Sequence, residues 1–410
     1  MIIEKYIQKD EEISLKIVQT KIDSLKRKNI IRTGCRAYDG KYIGIAGALG
    51  GHDEKFLENE ARAALSLKVP YEYEPGCDLN LSKNLSCDIF AENELISEVE
   101  TLLEAVRIAQ PDFSFSDAVK LINYEERILN DRGLDLCYRD RILVLSLLFK
   151  KKTSVNILDG FVSFKGRKYD RAAFLKHLNA VCGAYNNLID LPAGERFPVI
   201  FSTEDPTPLI KFAQDLHGLR FGTKSSIFSD KSGQKLFSDK FDFYFCLDPA
   251  ENPGSFFDAE GSVNEGFETP LIKNGVLISP YTDKNTSKTY GLPYTKSASC
   301  EYDGIPQPAL TAHRIASSQK TAKELLGGRP AIFVMIASGG DFTPEGNFAT
   351  PVQLALYFDG ENFIGKLPEL QISSNVYEMF GGAYIGVSKD SYFPLSREKC
   401  LIMDLKVSKM

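Results

Sequence analysis

Reactive chemistry in this chain would have to come from a short set of side chains. The densest group is Phe257-Asp258-Ala259-Glu260-Gly261, where two carboxylates stand two residues apart beside a glycine. Paired carboxylates divide general acid and base work when their surroundings push their pKa values apart. At this spacing the same residues also accept backbone N–H groups in a tight turn. We expect the turn role, with each replacement by Ala costing on the order of 1 kcal/mol. The histidines are His52, His177, His217 and His313, the nearest two 40 residues apart, so no helix carries a His pair. The eight cysteines (35, 77, 87, 137, 182, 246, 300 and 400) include no C-x-x-C. They read as scattered reduced thiols rather than as a disulfide framework. Gly44-Ile-Ala-Gly47-Ala-Leu-Gly50-Gly51 lacks both the G-x-G step and the G-K-[ST] of a phosphate loop, and reads as a place of close packing. Ser338-Gly339-Gly340 lacks the G-x-S-x-G elbow, so a serine hydrolase is not supported.

Composition narrows the partners. The chain has 410 residues, 43% hydrophobic and 25% charged, which are ordinary globular values and imply two domains. A net charge of −6 supplies no field for phosphate backbones. Lys26-Arg27-Lys28 and Lys150-Lys151-Lys152 are short basic runs, read as solvated faces, and no nucleic acid is expected. The longest apolar run, Ile142 to Phe149, falls far short of the roughly 20 residues of a membrane helix. The first ten residues are too polar for a signal peptide, so a cytoplasmic protein is expected, with no membrane partner.

The elements that must position these residues follow from periodicity. Residues 3–28 mix helical and strand spacing and stay open between an amphipathic helix and a strand. Strands are expected over 34–48 and a helix over 53–67, capped by Asp53, with Phe56, Leu57, Ala61, Ala64 and Leu65 on one face. A second helix is expected over 93–110, with Asn93 as its cap. A meander of five short strands is expected from about 118 to 164, and a helix over 171–185. Ala193–Pro198 is the boundary between domains 1–195 and 196–410. In the second half a helix is expected over 207–219 and another over 321–326. Lys273-Asn274-Gly275 between apolar runs signals a hairpin. The fold class is α+β: an N-terminal α/β sandwich and a C-terminal, mostly antiparallel β domain.

Three blocks, in order, carry a resemblance. They are Arg32–Ala46 with its Gly34-Cys-Arg36 step, the stretch Gly254–Gly291 with Asp258-x-Glu260-Gly261, the Asn274-Gly275 turn and Tyr281-x-Asp283, and Ser338–Phe348 followed by Leu356–Gly360 and Leu370–Val376. Together they are similar to the TldD/PmbA family, the modulator-of-DNA-gyrase proteins, whose members pair as a peptide-processing metalloprotease. The resemblance places family-motif or peptide-groove positions at Asp258, Glu260, Gly261, Tyr281, Gly339, Gly340, Asp341 and Phe348. In the family's catalytic branch an H-E-x-x-x-H helix and a later cysteine hold zinc, with the glutamate as general base. The matching segment here ends in His217-Gly218-Leu219, but Phe212 and Ala213 stand where the first histidine and the glutamate would fall. The cysteine loop looks deleted, and Cys400 lies in the final strand. The chain thus resembles the non-catalytic PmbA/TldE branch, with no catalytic residue, metal ligand or cofactor of its own, and His217 is expected to meet the last carbonyls of its helix. The resemblance implies a TldD-type zinc protease subunit or a second copy as partner, and an extended peptide as substrate. The alternative is a stand-alone homodimeric peptide-binding protein without protease activity.

Overall fold

Long alternating strands, not helices, occupy the start of the chain. The computed structural model describes residues 1–394 and 396–410. Strand β1 (Ile2–Val18) turns through Gln19 and Thr20, both at positive φ, into the antiparallel β2 (Lys21–Tyr38). The mixed spacing of residues 3–28 has a physical cause. In β1, Tyr6 is buried with the even-numbered face, whereas Ile13, Leu15 and Ile17 are buried with the odd-numbered one. Near its start both faces of the strand are covered, Ile3 on the odd and Tyr6 on the even one, whereas further on only the odd face is, so no single apolar parity runs its length.

Strand β3 (Tyr42–Leu49) leads to α1 (Glu54–Ala64), where the Asp53 side chain accepts N–H bonds from Lys55 and Phe56. Leu57 and Ala61 form the buried face of α1, but Phe56 points to solvent. After β4 (Val69–Pro70) and β5 (Asn80–Asn84), α2 spans Glu92–Ala109. Its N-cap position is Ala91, whose N–H is bonded by the Glu94 carboxylate, and Asn93 lies inside the helix. The expected five short strands are three: β6 (Phe113–Asn130), β7 (Asp135–Lys151) and β8 (Gly160–Gly166). The β6–β7 ladder runs unbroken through Glu125, Glu126 and Asp140, so polar residues interrupt neither strand, and the chain turns only at 131–134. Helix α3 (Arg171–Asn186) follows. The eight strands form one sheet in the order β4-β3-β2-β1-β6-β7, with β5 and β8 both on β7; only the β5–β7 pairing is parallel.

From Arg196 onward the chain builds a ring. Strand Ala331–Ala337 pairs with Arg196–Ser202 and with Asn347–Phe358; the latter pairs with Leu370–Asn375, then Lys399–Lys409, which returns to Arg196–Ser202. That closes a five-stranded barrel and leaves no open edge within the ring. A small antiparallel sheet carries the hairpin of Glu268–Lys273 and Val276–Leu277, with Asn274 and Gly275 at positive φ as its two-residue turn requires. The helix expected over 207–219 is broken. A 3₁₀ turn at Thr207–Leu209 precedes Ile210–Asp215, and His217 then starts a separate helix, Gly218–Gly222. The His217 ring nitrogen accepts the Leu219 N–H at 3.2 Å, so it caps a helix start rather than meeting final carbonyls. Thr321 caps the helix Ala322–Leu326. The class is α+β, with no helix long and apolar enough to cross a membrane among the described residues.

The halves share a core. Helix α3 and the odd face of β7 pack with Phe333, Leu354, Phe358 and Ile402 of the barrel. They also interlock through glycine. Gly34 and Gly47 are cross-strand neighbours, and a Cβ on Gly34 would lie 1.6 Å from the Tyr302 carbonyl oxygen. The sheet therefore has a trough into which the backbone of Tyr302-Asp303 descends. Gly34→Ala is expected to lower stability by about 3 kcal/mol or more, because backbone cannot yield as a flexible side chain can. Urea denaturation of the variant measures this, with Gly51→Ala, whose Cβ meets nothing within 4 Å, as the mild comparison.

Candidate functional site

The even face of β1 and β2 carries charge where a sheet normally carries apolar packing. Glu4 and Arg36 are cross-strand partners, and both are buried. Removing these charges from water is costly unless every polar atom finds a partner. Arg36 Nη1 donates to Glu4 Oε1 at 3.1 Å and to the Ala259 carbonyl at 2.6 Å, and Nη2 donates to Cys300 Sγ at 2.9 Å. Tyr38 O–H donates to the same Glu4 oxygen at 2.9 Å, and the guanidinium lies over the Tyr6 ring. Arg36 Nε remains without a partner. One cation thus joins the first half to two loops of the second.

Those loops are the acidic turn and the Cys300 segment. Asp258 Oδ1 accepts the N–H groups of Glu260 and Ser262 at 3.0 and 2.9 Å, and Oδ2 accepts that of Ala298 at 3.1 Å. Asp258 therefore shapes the turn, at whose end Gly261 has a φ of +65° and faces Leu134. Glu260 does different work. It accepts from Tyr71 O–H at 2.9 Å, from Tyr294 O–H at 3.0 Å and from the Lys284 N–H at 3.1 Å, tying the turn across to the first half. Both carboxylates are almost wholly buried. Loss of water, then the charge of Asp258, raise Glu260 well above its ordinary value of 4.5. Loss of water also raises Asp258, but its three backbone N–H bonds oppose this. Glu260 is therefore the member that keeps a proton.

A cleft of about 270 Å³ opens beside this turn, lined by Tyr6, Tyr124, Glu126, Ser255, Asp258 and Cys300 among others. Glu126 accepts hydroxyl bonds from Tyr6, Tyr124 and Ser255. Burial pushes the Cys300 thiol up to about 11, so at neutral pH it is a hydrogen-bonding thiol and not a thiolate nucleophile. A second cleft of similar size, lined by His313, Arg314, Arg397 and Lys399, lies on the other side of Asn252. The two share Asn252 and together follow the backbone from Thr311 to Ser317.

Of the positions singled out from sequence, Asp258, Glu260 and Gly261 come together here. Tyr281 is buried nearby in sequence, its hydroxyl on the Ala213 carbonyl and its ring against His217. Gly339, Gly340, Asp341 and Phe348 belong to an edge of the barrel and line neither cleft. A Cβ on Gly340 would meet Thr350 Oγ1 at 2.3 Å, Asp341 is exposed, and Phe348 is buried against Phe342. The neighbouring aromatics Phe342 and Phe358 are, like Phe348, buried core residues. Arg36 lies in the first motif block, where residue type alone assigns it no role, and sequence reasoning does not reach Glu4, Tyr71, Glu126 or Tyr294. The one available signal was charge at buried parity in β1 and β2.

The segment matching a zinc helix does not fit a metal. Phe212 is fully buried against Phe228, Phe237, Phe241, Phe243 and Phe380, and Ala213 offers no donor atom. Beside it Lys211 and Asp215 form a buried ion pair at 2.8 Å, with Lys211 also donating to the Thr343 and Pro344 carbonyls. His217 Nδ1 is already an acceptor for Leu219 N–H. The donor set needed for zinc is missing.

The sequence model of the PmbA/TldA metallopeptidase C-terminal domain matches residues 194–410. No curated protein matches the chain. Among solved structures, the fold is similar to TldE from Thermococcus kodakarensis, at 19% identity and a TM-score of 0.81 over 99% of this chain and 96% of that one. It is also similar to a protein from Thermotoga maritima described as a modulator of a DNA gyrase (15%, 0.78, 99% and 96%). A third, from Bacteroides thetaiotaomicron and described in the same way, gives 13%, 0.74, 100% and 95%.

Protonation of Glu260 sets a pH dependence with a definite sign. The folded state keeps a proton that the unfolded chain releases once the pH passes about 4.5, so stability falls as pH rises from there through neutrality. Glu260→Gln should flatten that fall, removing on the order of 1 kcal/mol per pH unit of slope where Glu260 is the titrating group. Urea midpoints of both proteins measured from about pH 5 to pH 8 check this.

Proposed function

The chain belongs to the PmbA/TldD metallopeptidase family, and from that premise we propose that it is a PmbA/TldE-like subunit of a TldD-type protease complex. In this reading residues 1–195 and 196–410 are its two domains, and it works in the cytoplasm paired with a zinc-bearing TldD-type chain, helping to enclose an extended peptide. The observation that carries the reading is the phenyl ring of Phe212, packed among five other aromatic rings where the catalytic branch places a ligand. A side chain committed to a core in this way cannot be turned to metal binding without opening that core.

Support for the peptide comes from the two clefts that follow residues 311–317. Strand His313–Ile315 pairs on one side with Phe243–Cys246, and an extended chain that added main-chain hydrogen bonds beside it would be gripped independently of its sequence. Asp258 and Glu260 serve here to hold the groove wall, and no catalytic step passes through this chain.

The purified chain is expected to have no peptidase activity alone, and activity is expected to appear when it is mixed with a TldD-type chain. Fluorogenic peptide hydrolysis by each chain alone and by the mixture measures this. Chelator-sensitive hydrolysis by this chain alone would overturn the reading.

A further inference from the structure

On the even face of the first sheet, Glu126 of β6 is met differently from the carboxylates around it. Glu4 meets Arg36, Asp10 meets Arg32, and Asp140 is held by Arg167 through two bonds of 2.7 Å. Glu126 stands on the same face, across the ladders from Gln8 and Tyr138, yet it meets only hydroxyls. Its Oε1 accepts from Tyr6, and its Oε2 accepts from Tyr124 and Ser255. Among the described residues it has no ion pair, whereas Glu125, one residue away on the opposite face, holds both Lys9 and Arg139. Burial, and then the charge of Glu126, raise the hydroxyls of Tyr6 and Tyr124 above their ordinary value, so both stay protonated donors.

Glu126 is thus a half-buried carboxylate with a lone pair open on Oε1 and no cation of its own. It lines the cleft of about 270 Å³ beside the acidic turn, and no lysine, arginine or histidine lines that cleft among the described residues. Arg36, whose guanidinium lies over the Tyr6 ring, is already paired with Glu4. Asp258, the other carboxylate there, has both oxygens on backbone N–H groups. Asn252 donates to the carbonyls of Cys246 and His313 at 3.2 and 3.3 Å, which leaves its amide oxygen as a second acceptor. Leu247, Pro253 and Phe257 add an apolar wall. An open carboxylate oxygen, a further acceptor and an apolar wall suit an alkylammonium, whose head needs acceptors and whose methylenes need cover. The volume is below that of ordinary small-ligand pockets, so it fits one side chain or one chain end rather than a whole ligand.

We propose that this cleft is a subsite for a primary ammonium group of the bound peptide, its free N-terminus or a lysine side chain, with Glu126 as the counter-ion. The proposal rests on the reading that an extended peptide follows residues 311–317, of which Thr311 and Ala312 line this cleft. It makes a main-chain grip that is otherwise independent of sequence selective for positive charge at one position.

Calorimetric titration of the whole chain with four alanine-based pentapeptides is the test. Three are blocked at both ends and carry Gln, Lys or Glu at the centre; the fourth is all alanine with a free N-terminus and an amidated end. Wild type should bind at least one ammonium-bearing peptide about tenfold or more tighter than the blocked Gln peptide, with the Glu peptide weakest. A gain for the free N-terminus alone assigns the chain end, a gain for the Lys peptide alone assigns the side chain, and a gain for both assigns either. Glu126→Gln should cut that gain to less than about twofold, whereas Glu125→Gln, on the opposite face, should keep it. Thermal melting checks that both variants fold, and the wild-type series stands without them. Equal affinity for all four peptides would overturn the subsite and leave the peptide reading intact. A gain that survives in folded Glu126→Gln would overturn Glu126 as the counter-ion. Failure of every peptide to bind would overturn the subsite on this chain, and mixing with a TldD-type chain would then decide separately whether the subunit reading stands.

Discussion

The architecture depends on one buried cation. Arg36 has no exposed atom, yet it is asked to satisfy Glu4 within its own sheet and the Ala259 carbonyl and Cys300 sulfur of the second half. A guanidinium is suited to this because its planar fork directs several N–H groups at once and does not lose its charge. Such an arrangement fixes geometry more than it adds net stability: replacing a buried pair by apolar groups can be neutral, while removing one partner costs about 3–5 kcal/mol. Around this cation the Cys300–Asp303 segment descends into the glycine trough of Gly34 and Gly47. The acidic turn is then set down where Glu260 can reach Tyr71.

The same economy appears at the helix Ile210–Asp215. A zinc helix would be tied to the rest of its domain by ligands. Here aromatic packing around Phe212 and the buried Lys211–Asp215 pair take that part, with Lys211 holding the carbonyls of Thr343 and Pro344. The helix and its approach to the barrel loop are thus held by aromatic packing and one buried ion pair.

Much of the second half was legible because turn chemistry is local. Asn274-Gly275 announces its hairpin by the positive φ that both residues tolerate, and Thr321 announces a helix start by the oxygen it offers, as Asp53 does in the first half. The first half was less legible because its strands are long and the covered faces change along them. No single periodicity describes β1, in which Tyr6 and Leu15 are buried on opposite sides. The break at His217 was hidden because it depends on a bond from Gly218 N–H to the Tyr281 carbonyl, more than sixty residues away. The acidic turn was found from its residue types, but its partners were not. Glu260 meets Tyr71 across the two halves and Tyr294 from 34 residues along the chain, and the pairing of Glu4 with Arg36 is a matter of strand register.

The account's central claim is that Arg36 joins the halves, and hydrogen exchange of Arg36→Met compared with wild type tests it most directly. Methionine keeps the stem's packing and removes the bond to Glu4 within the sheet and the two that cross to Ala259 and Cys300. The account predicts that amides in segments 256–262 and 298–304 lose protection in the variant, while the barrel strands Arg196–Ser202 and Ala331–Ala337 keep theirs. Unchanged protection in both segments, or an equal loss throughout the chain, would contradict it.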